Sequence, residues 1–148
     1  MLDGTAQDRA EIDDLVRRFF AAFTNEGGAA PDVEGLVRLF IPSGLIVKAV
    51  DRDPEVYSVT TFIAPRARLL NDGTLTDFRE EETSARTDIM GNIAQRMCLY
   101  RKSGVISGDR LEGRGIKFLQ FVRTADGWRI SAVAWDDGRE GLTIPATL

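Results

Sequence analysis

The chain contains no histidine. That absence excludes Ser-His and Cys-His nucleophile systems, histidine general bases and histidine-ligated metals. Any acid–base chemistry falls to Asp, Glu, Lys, Tyr or water. A single cysteine, Cys98, excludes an internal disulfide and leads us to expect a reducing, cytoplasmic setting. No apolar run approaches the ~18 residues of a membrane span. Residues 1–8 carry neither the basic nor the apolar segment of a secretory leader. Positive charge is scarce as well: the net charge is −4 and the pI is about 4.9. With no basic stripe to neutralise phosphates, nucleic acid is not an expected partner. Repeats, low-complexity stretches and linkers are also missing. What remains is one domain, residues 1–148, 43% apolar and 28% charged, large enough to bury a core.

Thr5-Ala6-Gln7-Asp8 can cap a helix. Ile12, Leu15, Val16, Phe19, Ala22 and Phe23 then recur at helical spacing, with Asp13, Asp14, Arg17 and Arg18 opposite. Gly27-Gly28 ends this long helix. Pro31-Asp32 opens a short second helix that Pro42 stops. Leu45–Val50 reads as a strand, and Glu55–Val59, carrying Tyr57, as its partner. Thr60-Thr61 caps a third helix through Leu70. Leu75–Thr87 is polar enough for an exposed edge strand. Its Glu80, Glu81 and Glu82 read as a solvated face, since at most two of them could converge on a cation. Ile89–Tyr100 is a further strand, with Cys98 as an inert buried thiol. Lys102–Arg114, rich in glycine, is expected to be a long loop.

The strongest local signal is a hairpin, Gly113–Arg123 and Trp128–Asp137 around Asp126-Gly127. Strict alternation puts Lys117, Leu119, Phe121, Trp128, Ile130, Ala132, Ala134 and Asp136 on one side. Ile116, Phe118, Gln120, Val122, Arg129, Ser131, Val133 and Trp135 fall on the other. Both sides are apolar enough to need cover. Helices followed by long antiparallel strands indicate an α+β fold.

Several segments together resemble the nuclear transport factor 2-like (NTF2-like) superfamily, within it the SnoaL-like and DUF4440-like small bacterial proteins. They are Glu11–Phe20, Leu39–Gly44, Gly91–Gln95, Gly115–Arg123 and Asp126–Trp135. The resemblance implies an NTF2-like, cystatin-like cone. A curved, mostly antiparallel sheet would wrap around the long N-terminal helix, with two further short helices and a cavity at the wide end. It also implies a homodimer packed through sheet faces. On this frame Phe19, Phe23, Leu119 and Phe121 would form an apolar ligand pocket, with Arg66, Arg96, Lys117 and Asp136 at its mouth. Phe118, Gln120, Val133 and Trp135 would form the dimer face.

Fold alone does not choose a chemistry. A ketosteroid-isomerase-like site needs a carboxylate base with a tyrosine and a protonated aspartic acid. Only Tyr57 and Tyr100 are available, and Asp136 is the candidate carboxylate; a plain cross-strand ion pair with Lys117 competes with that role. A limonene-epoxide-hydrolase-like site would use Arg86 and Asp88, which share a strand face. Asp136 would be its second carboxylate and Tyr57 its water-orienting hydroxyl. The acid–base carboxylate of SnoaL cyclases cannot be placed. For Arg66 and Arg96, ion pairs with Glu80 or Glu82 are the plainer role. The expectation that best fits the residues is a pocket for a hydrophobic small molecule, without assignable catalysis and with no cofactor or metal. A pocket carboxylate lacking a basic partner would favour an enzyme.

Overall fold

The computed structural model describes residues 5–148. Helix α1 (Ala6–Ala21) starts at Thr5, whose hydroxyl accepts from the Asp8 amide while the Asp8 carboxylate accepts from the Thr5 amide. This reciprocal cap satisfies two otherwise orphaned donors. The buried face of α1 is Ile12, Leu15, Val16, Phe19 and Phe20. Two short 3₁₀ turns, Glu26–Gly28 and Val33–Arg38, follow. Then come β1 (Phe40–Lys48), β2 (Glu55–Ser58), α2 (Val59–Asn71), β3 (Leu75–Met90), β4 (Ile93–Ile106), β5 (Asp109–Thr124) and β6 (Gly127–Asp137). Ser58, rather than Thr60 or Thr61, caps α2 by accepting from the Thr61 amide.

All six strands form one sheet in the order β2-β1-β6-β5-β4-β3. The β1–β6 pair is parallel and the others are antiparallel. The sheet is curved and unclosed, and α1 and α2 cover one face. Bulges in β3 and β6 supply local bends. Trp128, Ile130, Leu119 and Phe121, all essentially inaccessible, pack against α1. The polar β3 is an edge strand, as its charges predict.

The segment Lys102–Arg114 is not a loop. β4 and β5 continue through it as one hairpin, closed by the two-residue turn Ser107-Gly108. Both turn residues have positive φ, 49° and 86°, the requirement of a type I′ turn. Gly104 there, and Gly115 just beyond it, mark close packing rather than freedom. A Cβ on Gly115 would lie 2.4 Å from the Tyr100 ring, and one on Gly104 would lie 3.1 Å from the Phe78 Cα.

The faces of β6 depart from strict alternation. Phe121 pairs with Ile130, but Gln120 pairs with Ala132. Ser131 is the extra residue of a β-bulge, and beyond it the two faces exchange. Val133 and Trp135 therefore stand inside with Lys117 and Leu119. They cannot form an outer face, and Val133 is only 1% exposed. Ala132, Ala134 and Asp136 move outward to join Gln120 and the half-exposed Phe118.

Candidate functional site

Between the helices and the sheet lies a cavity of about 220 Å³. α1 and the residues just after it contribute Phe19 and Phe23, and α2 contributes Phe62, Arg66 and Leu70. The strands add Phe78, Glu80, Tyr100, Lys102, Lys117, Trp135 and Asp137, and Lys48 closes the end of β1. Aromatic contacts fix the walls. Phe62 meets Phe23, Tyr57 and Trp135 edge-on, with ring centroids 6.1, 5.5 and 6.0 Å apart.

Strand alternation on β5 carries Lys117 inward with Leu119 and Phe121. Its ammonium lies 4.0 Å from the Tyr100 ring centroid and 4.8 Å from that of Trp135. It also lies 2.7 Å from Glu80 Oε1, both side chains being almost fully buried. That contact is an ion pair rather than an aligned hydrogen bond, for Oε1 has no hydrogen-bond partner. Glu80 reaches the interior because it sits on β3 opposite Lys102, whereas Glu81 points outward to Arg79 and Arg101.

A second polar group adjoins the first. The Tyr100 hydroxyl donates to Asp137 Oδ1, and Lys102 Nζ donates to Asp137 Oδ2 at 3.0 Å. Burial works to raise the Asp137 carboxyl, but the hydrogen bonds from Tyr100 and Lys102 outweigh it and hold the group below its ordinary value. Burial, then the bond to Asp137, pushes the Tyr100 phenol far above the usual tyrosine range. Its proton is committed to Asp137, so Tyr100 is not a free donor for an oxyanion.

Of the residues expected at the pocket, Phe19, Phe23, Arg66 and Lys117 line the cavity. Arg66 lies over the Phe62 ring, 5.0 Å from its centroid. Leu119 and Phe121 are core residues at 0% and 1% exposure and do not line it. Arg96 is also elsewhere. It donates to Glu82 at 3.0 Å, Asp13 at 2.6 Å and Thr87 at 3.1 Å, tying β4 to α1 and β3. Asp136 does not pair with Lys117. The Ser131 bulge turns it outward, where it pairs with Arg139.

Nor do the hydrolase-like candidates converge. Arg86 and Asp88 are exposed on the outer face of the edge strand, and Asp88 accepts from Gln95 at 3.1 Å. The Tyr57 hydroxyl donates to Glu55 at 2.7 Å, and that bond pushes its titration upward. Lys102, Asp137 and Lys48 escaped sequence reasoning, and Glu80, expected on a solvated face, is instead nearly buried against Lys117. The inward alternation of Glu80 on β3 was the one available signal; Lys102 was hidden by the loop reading. Cys98 is fully buried, and that burial pushes its thiol up. Among the described residues no three Cys, Asp or Glu side chains converge to hold a metal. No described helix is long and apolar enough to cross a membrane.

No family model matches the chain, and no curated protein matches it in sequence. Solved structures do. An NTF2-like superfamily protein from Salmonella enterica superposes with a TM-score of 0.75 at 16% identity, covering 92% of this chain and 94% of the other. An NTF2-like protein of unknown function from Silicibacter pomeroyi gives 0.62 at 22% identity, covering 91% and 99%. A candidate aromatic ring hydroxylase from Novosphingobium aromaticivorans gives 0.72 at 17%, covering 93% of each chain. At these identities the likeness concerns architecture, not chemistry. The helix order, the curved six-stranded sheet and these superpositions agree that the chain has the NTF2-like, cystatin-like α+β fold.

Proposed function

We propose that the domain binds a small, largely apolar molecule carrying an electron-rich polar group. The observation behind this reading is the balance of charge inside an aromatic enclosure. Lys48, Arg66, Lys102 and Lys117 line the cavity against only Glu80 and Asp137. Size narrows the ligand further. A dry apolar cavity of ~150 Å³ accepts benzene, so about 220 Å³ suits one ring with a short substituent. Few polar groups in apolar walls is the usual composition of a ligand site. Asp136 and Asp88 lie outside the enclosure, so no acid–base role is assigned to either.

Trp135 lines the cavity and provides the readout. Benzoate, benzyl alcohol and benzylamine are titrated while tryptophan emission is followed, with Trp135→Phe as the control. Benzoate is expected to bind most tightly and benzylamine most weakly. Equal affinity for all three, or no change in emission that depends on Trp135, overturns the reading.

We also propose that the protein is a cytoplasmic homodimer formed through the outer sheet face. The support is exposed Phe118, half accessible, flanked by Gln120, Ala132 and Ala134. Val133 and Trp135 take no part.

A further inference from the structure

The chain has sixteen arginines and three lysines, Lys48, Lys102 and Lys117. All three lysines line the cavity, and of the arginines only Arg66 does. If the cavity needed positive charge alone, arginine would serve, as it does everywhere else in this chain. Lysine differs in one chemical respect: its amine can lose a proton and act as a nucleophile.

The neighbours of Lys117 supply what that chemistry requires. Lys102 is engaged by Asp137, and the Tyr100 proton by the same carboxylate. Lys117 and Glu80 are left facing each other at 2.7 Å, with Oε1 buried and without an aligned hydrogen bond. An amine and a carboxylate in van der Waals reach of an apolar cavity are the minimal apparatus for reversible condensation with a carbonyl. We propose that Lys117 captures aldehydes as an imine, with Glu80 as the proton acceptor and donor. The proposal rests on the cavity being a ligand site.

The step balances. Lys117 passes one ammonium proton to Glu80, which leaves a neutral amine beside a neutral acid. An apolar ligand that expels water favours this exchange, because a buried neutral pair escapes the desolvation cost of a buried ion pair. The amine nitrogen attacks the aldehyde carbon, and the carbonyl oxygen takes the proton from Glu80 to give a carbinolamine. The nitrogen then loses its second proton to Glu80, and hydroxide leaves as water with that proton. The net change is aldehyde plus lysine ammonium to protonated imine plus one water, with Glu80 again a carboxylate and nothing oxidised or reduced. Tyr100 and Trp135, which flank Nζ, would stack on an aromatic aldehyde.

Benzaldehyde is the probe. The wild-type protein is incubated with it and with sodium cyanoborohydride, then intact mass and peptide mapping locate the benzyl groups. The expected result is one group, on Lys117, formed ahead of any on Lys48, Lys102 or the terminal amine. Glu80→Gln is expected to slow trapping about 100-fold, the usual loss when a general acid–base is removed. Lys117→Arg abolishes it. Labelling spread over the three lysines as in the urea-denatured protein overturns the proposal, and needs no variant to fold. Absence of any adduct while benzyl alcohol still changes Trp135 emission overturns the imine and leaves the binding site standing. Absence of both overturns the imine and the site together.

Discussion

At the scale of residues, the buried Lys117–Glu80 pair dominates the interior. Removing one member of such a pair leaves an uncompensated charge out of water. Lys117→Met alone is expected to lower stability by about 3 kcal/mol, while Glu80→Met with Lys117→Met falls within about 1 kcal/mol of wild type. Urea midpoints of the two single variants and the double variant check this, and additive losses would mean the two groups do not interact. A different pair acts at the other end of α1. Asp8 accepts from both Arg123 nitrogens at 2.8 and 3.0 Å and from the Trp128 indole at 3.1 Å. The bonds from Arg123, then Trp128 and Thr5, hold its carboxyl far below the ordinary aspartate value. A carboxyl depressed by folding stabilises above its unfolded value, about 4, and that contribution disappears as pH falls through the folded value. Urea midpoints between pH 5 and pH 2, in units of about one, should therefore fall more steeply for wild type than for Asp8→Asn. Parallel slopes would show that this contact does not stabilise the fold. The capping role of Asp8 was visible in Thr5-Ala6-Gln7-Asp8. Its bond to Trp128 was not, because no local pattern reports a contact 120 residues away.

Single insertions matter most at the scale of elements. The two α-helices were legible because periodicity is local, although Ser58 caps α2 and Pro42 lies inside β1. The last hairpin was legible because Asp126-Gly127 marks its turn, which the pairing of Thr124 with Gly127 places at Ala125-Asp126. The faces of that hairpin were legible only as far as Ile130. Nothing in Ile130-Ser131-Ala132 distinguishes a bulge from regular alternation, since the bulge exists to fit curvature set by the rest of the sheet. Strict alternation through it puts Val133 and Trp135 outward and Asp136 inward, the reverse of their positions. Deleting Ser131 would restore regular alternation. Val133 and Trp135 would then turn out, and Asp136 would turn in toward Lys117. The deletion is expected to abolish near-ultraviolet circular dichroism or leave the protein insoluble, whereas Ser131→Ala behaves like wild type. A well-folded deletion variant would show that β6 can slip by a residue without penalty. The same reasoning explains Lys102–Arg114. Glycines there read as a loop, yet Gly104 and Gly113, with Gly115 just beyond, lie under Phe78, Lys102 and Tyr100, where a Cβ would collide or crowd.

For the whole molecule, the helix order and the run of long antiparallel strands were sufficient to place the architecture. The cavity was only partly legible. Phe19, Phe23, Arg66 and Lys117 came from one amphipathic face, one helix and one strand, while Glu80, Lys102 and Asp137 depend on how strands pair across the sheet. The outer face is the remaining large feature. Phe118→Arg is expected to convert a dimer into a monomer in size-exclusion chromatography with light scattering, with unchanged thermal unfolding of the subunit. A dimer that survives this substitution, or a wild type that elutes as a monomer, removes the sheet-face interface.

The placement of the lysines also divides the protein's exposure to proteolysis. Lys48, Lys102 and Lys117 all lie within strands, at the end of β1 and inside β4 and β5. A protease needs an extended, unpaired segment of several residues, so cutting after any of these three requires the sheet to come apart around the cavity. The sixteen arginines are distributed over helices, turns and the tail as well. A lysine-specific protease in native buffer therefore counts openings of the sheet, while an arginine-specific one counts fraying anywhere. The ratio of the two digestion rates, with and without a small aromatic additive, would give a clock for how often this enclosure opens.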